Sequence, residues 1–286
     1  MESDELAPDP SDPIICGLDG SEDGEGVARI GEHLALALGH PLLLLHVAPA
    51  PLVGARPAAN FAERLAEAEA FERAGRLHTV LEPVAERLQS SPACAVEFGD
   101  PGELLAAAAE QISASLLVIG RSRQWMVERV MLGSTTAVLA RRAPCPVAIV
   151  PAESPPLEGD TIVAGIDGSG RSIHVARVAA LLAHRLGLRL VLAAVGPAAG
   201  EDAVEPALEA AAEVAADIPR EGITADGSPA EVLAALGRSL SAQLLVVGSR
   251  GLGPIRAAVL GSTSSALVEH ADRAVVVVPD LLDTAG

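Results

Sequence analysis

Two short segments, each written twice in the chain, hold the residues whose types could do chemistry. One is Asp19-Gly20-Ser21, which closes an apolar run and returns 148 positions later as Asp167-Gly168-Ser169. A carboxylate at a strand end can accept a ribose hydroxyl or hold a hydrated Mg2+. Asp-Gly-Ser is equally a tight turn in which Asp or Ser caps the next helix, and the residues alone leave both readings open. The other segment is Gly248-Ser-Arg-Gly251, followed after nine intervening residues by Gly261-Ser262-Thr263-Ser264 at the head of a helical pattern. Glycine lets a phosphate approach backbone N–H groups, and a helix N-terminus adds unpaired donors and a positive dipole end. Ser262 and Thr263 would add hydroxyls. Here too a plainer reading stands beside it, with Gly248 ending a strand, Gly261 allowing close packing and Ser262 capping the helix.

Composition narrows that chemistry. All 20 residues counted as Lys plus Arg are arginine. Without lysine there is no Walker A loop and no Schiff base, so a bound phosphate must rely on backbone N–H groups, hydroxyls, a metal or arginine. A formal charge of -18 repels nucleic acid and anionic membranes, and neither is expected as a partner. Three cysteines without a C-x-x-C spacing and seven unclustered histidines argue against a disulfide framework or a structural zinc site. Cys16 reads as a small buried hydrophobe, and His46 as a histidine at a strand end near a pocket. Gly165-x-x-Gly168-x-Gly170 mimics a dinucleotide fingerprint, but its spacing is wrong and Asp167 would oppose a pyrophosphate.

The elements that must position these residues also come in two sets. Residues 14–21 return at 162–169, and 117–120 with 133–135 return at 245–248 with 261–263, the second offset being 20 shorter than the first. The chain is therefore a duplicated unit whose first copy carries about 20 extra residues within Pro49–Glu86. In each copy short Val-, Ile- and Leu-rich runs alternate with longer helical patterns. The strands are expected at Pro13–Leu18, Pro41–Val47, Ala93–Phe98, Leu116–Gly120 and Pro146–Val150, and again at Thr161–Ile166, Leu188–Val195, Gly222–Ala225, Leu244–Gly248 and Ala274–Val278. All read as strands buried on both faces of a parallel sheet, giving two tandem doubly wound α/β domains of five strands. Boundaries are expected at 13–151 and 160–280, with a three-proline linker over Pro151–Gly159 and a flexible arm over 1–12. An acidic, proline-rich start and the lack of an 18-residue apolar run point to a cytoplasmic protein.

The pattern G-x2-G-x9-G-[ST] after the fourth strand, with an Asp closing the first strand of an all-parallel unit, resembles the universal stress protein family in its tandem two-domain form. The resemblance covers nearly the whole chain apart from the arm and the insertion. It implies an adenine nucleotide alpha-hydrolase-like fold with strand order 3-2-1-4-5 and a site for ATP, with Mg2+ on Asp167. It places the ribose and phosphates on Gly248, Gly251, Gly261 and Ser262, beside the Thr263 hydroxyl, and the adenine against the backbone at Val195. In the first copy the matching positions are Asp19, Val47, Gly120, Gly133 and Ser134, but Arg123 stands where the second glycine belongs and Trp125 stands opposite Gly253. Arg123 could supply the positive charge of a lysine-free pocket with Trp125 stacked on a base, or Trp125 could plug the pocket or make an interdomain contact. The resemblance further implies pairing of the fifth strands across a dimer, met here by a homodimer or an internal pseudo-dimer.

No Ser-His-Asp set or paired acid and base stands out, so nucleotide binding in a stress-response regulator is expected, with at most slow ATP hydrolysis. The competing reading is a protein–protein interaction scaffold with vestigial nucleotide sites and an unidentified partner, because both closing strands are short, apolar and end in proline, like edges that must be covered.

Overall fold

The computed structural model describes residues 11–49, 70–121, 133–196, 201–250 and 260–280. Its strands are β1 (Ile14–Leu18), β2 (Leu42–Ala48), β3 (Ala93–Phe98), β4 (Leu116–Gly120) and β5 (Val147–Val150), then β6 (Thr161–Ile166), β7 (Arg189–Val195), β8 (Arg220–Ala225), β9 (Ala242–Gly248) and β10 (Val275–Val278). The helices are α1 (Gly24–Leu38), α2 (Glu82–Ala85), α3 (Pro101–Gln111), α4 (Ser134–Arg142), α5 (Gly170–Leu186), α6 (Glu201–Val214), α7 (Pro229–Ser239) and α8 (Ser262–His270). A π-helical turn over Leu77–Leu81 leads into α2.

Each half has the strand order 3-2-1-4-5, and within each half every pairing is parallel. The halves are not separate sheets. β5 and β10 pair antiparallel, Val147 with Val277 and Ile149 with Val275, so the strands form one ten-stranded sheet in the order β3-β2-β1-β4-β5-β10-β9-β6-β7-β8. Two apolar strands of four residues meet at that seam, and each covers the unpaired N–H and C=O groups of the other.

Helices cover both faces. Val27, Leu34, Leu44, Val175, Leu190 and Val204 belong to one core, with α1, α5 and α6 on that face. Leu105, Leu117, Leu139, Val191, Leu233 and Leu267 belong to the other, with α3, α4, α7 and α8. Burial on both faces holds for the inner strands but not for β3 and β8, whose residues are almost all half-buried or exposed. These are the outer edges, and Glu97, Arg220 and Glu221 keep them solvated and discourage further pairing. Within the stretch read as an insertion, the turn over 77–81 packs on β2 and β3 as α6 packs on β7 and β8, and α2 continues from it against α1. This part is the ordinary crossover helix, and the excess therefore falls in 50–69, outside the described residues. The linker is pinned where Gln243 Nε2 donates to Gly159 O at 2.7 Å.

Candidate functional site at the carboxyl strand ends

β1 and β6 sit where the chain order reverses, so the residues after them emerge at the crevice that open α/β sheets use for ligands. Asp19 and Asp167 are those residues. Asp167 Oδ1 accepts from Ser169 N at 3.0 Å and from Ser169 Oγ at 2.6 Å, and Ser169 Oγ accepts from Ser172 N at 3.3 Å as the N-cap of α5. Asp19 Oδ1 accepts from Ser21 N at 2.9 Å. Between each pair the glycine is left-handed, with φ +80° at Gly20 and +77° at Gly168. The tight-turn reading of the triplet is thus present in both halves.

The second motif assembles from backbone and hydroxyl contacts. Gly120 ends β4 and Gly248 ends β9, each under the first helix of its own half: an added Cβ would stand 3.1 Å from Val27 Cγ2 or 3.3 Å from Val175 Cγ2. Gly261 N donates to Ser249 O at 2.8 Å, and Ser264 Oγ donates to Gly248 O at 2.6 Å. These two bonds hold the start of the loop against the first turn of α8. Gly261 caps α8 and Gly133 caps α4 without any side-chain hydrogen bond. The first amides of a helix have no partner within it, so those at Ser262 and Thr263, and at Ser134 in the first half, are left for a ligand or solvent. Ser134 and Ser262 are exposed, and a Cβ built on Gly133 meets no atom within 4 Å. In the first half, open space at a helix N-terminus without a side-chain cap, beside the Ser134 hydroxyl, fits a phosphate group. Gly251, Arg123 and Trp125 lie outside the described residues.

Val195 ends β7 and Val47 lies one residue from the end of β2, at the same edge of the crevice. The register pairs Leu18 with His46 and Ile166 with Ala194, so Val47 and Val195 sit just beyond the last residues of β1 and β6. His46, expected near a pocket, is buried, and its Nδ1 is 2.7 Å from Leu18 O, to which it donates as the Nδ1–H tautomer. Its Nε2 has no hydrogen-bond partner.

Among the described residues no three His, Cys, Asp or Glu side chains form a group that could hold a metal ion. Mg2+ at this site would therefore depend on Asp167 together with oxygens of the ligand itself. Burial pushes the Cys16 thiol up to about 12, so it cannot act as a thiolate nucleophile near neutral pH. Two participants were not singled out by sequence reasoning. Ser264 was visible only as the fourth residue of Gly261-Ser-Thr-Ser, and Arg121 only as the residue after Gly120 where the second copy has Ser249.

No helix among the described residues is long and apolar enough to cross a membrane. A model of the universal stress protein family matches residues 10–151 and again 159–279. Universal stress protein Rv2005c of Mycobacterium tuberculosis is 29% identical over 288 residues, covering 93% of this chain and 96% of that one. A universal stress protein from Archaeoglobus fulgidus has a similar fold, with a TM-score of 0.67 at 20% identity over 94% of this chain and 97% of that chain. The protein PA1789 from Pseudomonas aeruginosa aligns with a TM-score of 0.57 at 18% identity, covering 94% and 93% of the two chains. With two tandem matches spanning nearly its whole length, the chain belongs to the universal stress protein family.

Proposed function

We propose that this protein is a regulatory nucleotide-binding module that takes up ATP with Mg2+ at the carboxyl strand ends of its second half. The observation that carries this reading is the N-terminus of α8 at Gly261, which has no side-chain cap and is held against Gly248 by the Ser264 hydroxyl. The amides and hydroxyls of Ser262 and Thr263 would hold the phosphates, with Gly251 completing the loop. Asp167 would meet the ribose or the metal, and the backbone at Val195 the adenine. ATP supplies the charged phosphates that this helix end attracts, and the chain's own part is to hold and orient them. The first half offers the same frame through Asp19, Val47, Gly120, Gly133 and Ser134, with Arg123 altering its loop, so the two halves are expected to differ in occupancy or pose. A cytoplasmic role in a stress response is consistent with family membership. The scaffold alternative drew on closing strands that read as edges in need of cover, and β5 and β10 supply that cover to each other.

Calorimetry of the full chain with Mg-ATP tests the reading. A Gly261→Val variant puts a branched side chain where phosphate must approach the amides, and affinity is expected to fall at least about tenfold, or roughly 1.4 kcal/mol. Unchanged affinity in a folded variant would refute the assignment.

A further inference from the structure

Helix α8 carries the proposed phosphate cradle at one end, and its other end is held by the opposite half of the protein. The last helical bond runs from Ala271 N to Leu267 O at 2.8 Å, so the carbonyls that follow have no partner within the helix. A single nitrogen, Arg121 Nη1, lies 2.9 Å from Val268 O, 2.9 Å from Glu269 O and 3.0 Å from Ala271 O. One cation from the first half thus serves three carbonyls and meets the negative end of the dipole of a helix in the second.

The anchor is firm. Arg121 N donates to Val150 O at 2.7 Å, fixing its backbone at the end of β5 beside the β5–β10 seam. Its guanidinium is half-buried, and the Glu269 carboxylate opposes the desolvation that burial imposes. Arg121 also directly follows Gly120, so it opens the first half's own candidate loop. A nine-residue helix is a rod of about 13 Å, short enough to carry a displacement at its C-terminus to its N-terminus. The arrangement is one-sided. The position 128 residues later is Ser249, whose hydroxyl is too short for the reciprocal reach.

Resting on the reading of the cradle given above, we propose that Arg121 is a positioning residue for the nucleotide site of the second half. It holds α8 in register with the Gly248 loop, and it makes that site dependent on the first half of the chain.

The test compares full-length wild type with Arg121→Ala and Arg121→Lys, and with Arg142→Ala as a control for loss of an exposed arginine that pairs with Glu103. Mg-ATP affinity is measured by calorimetry and amide exchange by mass spectrometry. In Arg121→Ala, exchange is expected to rise about tenfold across α8 but not across α7, and affinity to fall roughly tenfold. Arg121→Lys, which keeps a charged donor, should recover most of both, and Arg142→Ala should change neither. Unchanged affinity in Arg121→Ala, or a rise in exchange spread evenly over the second half, would overturn the positioning role. Should wild type bind no Mg-ATP, the proposed function falls by itself. In that case unchanged α8 exchange in Arg121→Ala would overturn the inference separately, and faster exchange confined to α8 would sustain its structural half.

Discussion

Removing one hydroxyl, in Ser264→Ala, tests whether the loop and helix of the second half work as a unit. Ser264 is 5% exposed, and its Oγ donates to Gly248 O at 2.6 Å, spanning the gap between the end of β9 and the first turn of α8. A neutral hydrogen bond of this kind contributes about 0.5–1.5 kcal/mol net, and a carbonyl left partly buried without its donor adds a desolvation cost. Together these give about 1–2 kcal/mol, or roughly 3–8 °C in melting temperature for a domain of this size. Part of the loss should reach the ligand, because the loop start is then free to drift from the helix amides. Mg-ATP affinity is expected to weaken about threefold to tenfold. Ser264→Thr keeps the hydroxyl, and the corresponding position of the first half is already the buried Thr136, so this variant should behave much like wild type. Thermal unfolding followed by circular dichroism, with calorimetric titration beside it, decides the matter. If Ser264→Ala melts within about 1 °C of wild type and binds equally well, the bond is incidental and the loop is positioned by other contacts.

Asp167→Asn keeps an oxygen that can accept from Ser169 N and Oγ, so the turn should survive with stability within about 0.5 kcal/mol, while Mg-ATP affinity drops at least about threefold through loss of the charge. Equal affinity by calorimetry would leave Asp167 as a turn residue only. For the thiols, burial pushes Cys16 and Cys145 up to about 12, and burial followed by the nearby Glu82 charge raises Cys94. Iodoacetamide at pH 8 should therefore modify at most Cys94 in the native protein and all three cysteines after denaturation. The folded thiols hold their protons above the pH at which unfolded ones release them, so their contribution to stability is complete below about pH 9 and lost progressively from there toward 12. Denaturant titrations at pH 8 and pH 10 should differ by on the order of 1 kcal/mol per thiol, and a flat profile would contradict the burial.

Most of the fold was readable because its punctuation is local. Gly248 closes β9 where the apolar pattern placed its end, and Pro229 opens α7 at its first residue, where proline lacks a donor that the helix does not need. The bounds of β3, β4 and β6 coincide with the expected strands, and α8 begins at Ser262, at the head of the helical pattern. β8 begins earlier than expected because Arg220 and Glu221 are polar residues on an edge strand, where solvent replaces the second face that apolar patterning detects. The joining of the halves could be expected only from the family resemblance, since nothing in Val-Ala-Ile-Val or Val-Val-Val-Val states which edge it will meet. In the candidate site, glycine and hydroxyl spacing marked the junction of Gly248 with the first turn of α8, because each residue there has a role in a single turn. The Arg121 contact was hidden for the opposite reason: its partners are backbone carbonyls 147 to 150 positions away, and carbonyls leave no mark in a sequence.

The seam between β5 and β10 bears on how the protein responds to its own abundance. Two separate chains meeting at such an edge would dissociate on dilution, and their partnership would depend on expression level. Here the linker over 151–159 keeps the two edges at a high effective concentration, so their pairing should be the same at nanomolar and at micromolar protein. Because one gene specifies both sides, neither side must be self-complementary. Two identical subunits would make any such contact twice, with an arginine on each side of the axis, whereas here a single cation faces a single row of carbonyls. Arg121 opposite α8, with Ser249 in the mirrored place, is an arrangement open to a fused pair but not to two identical subunits.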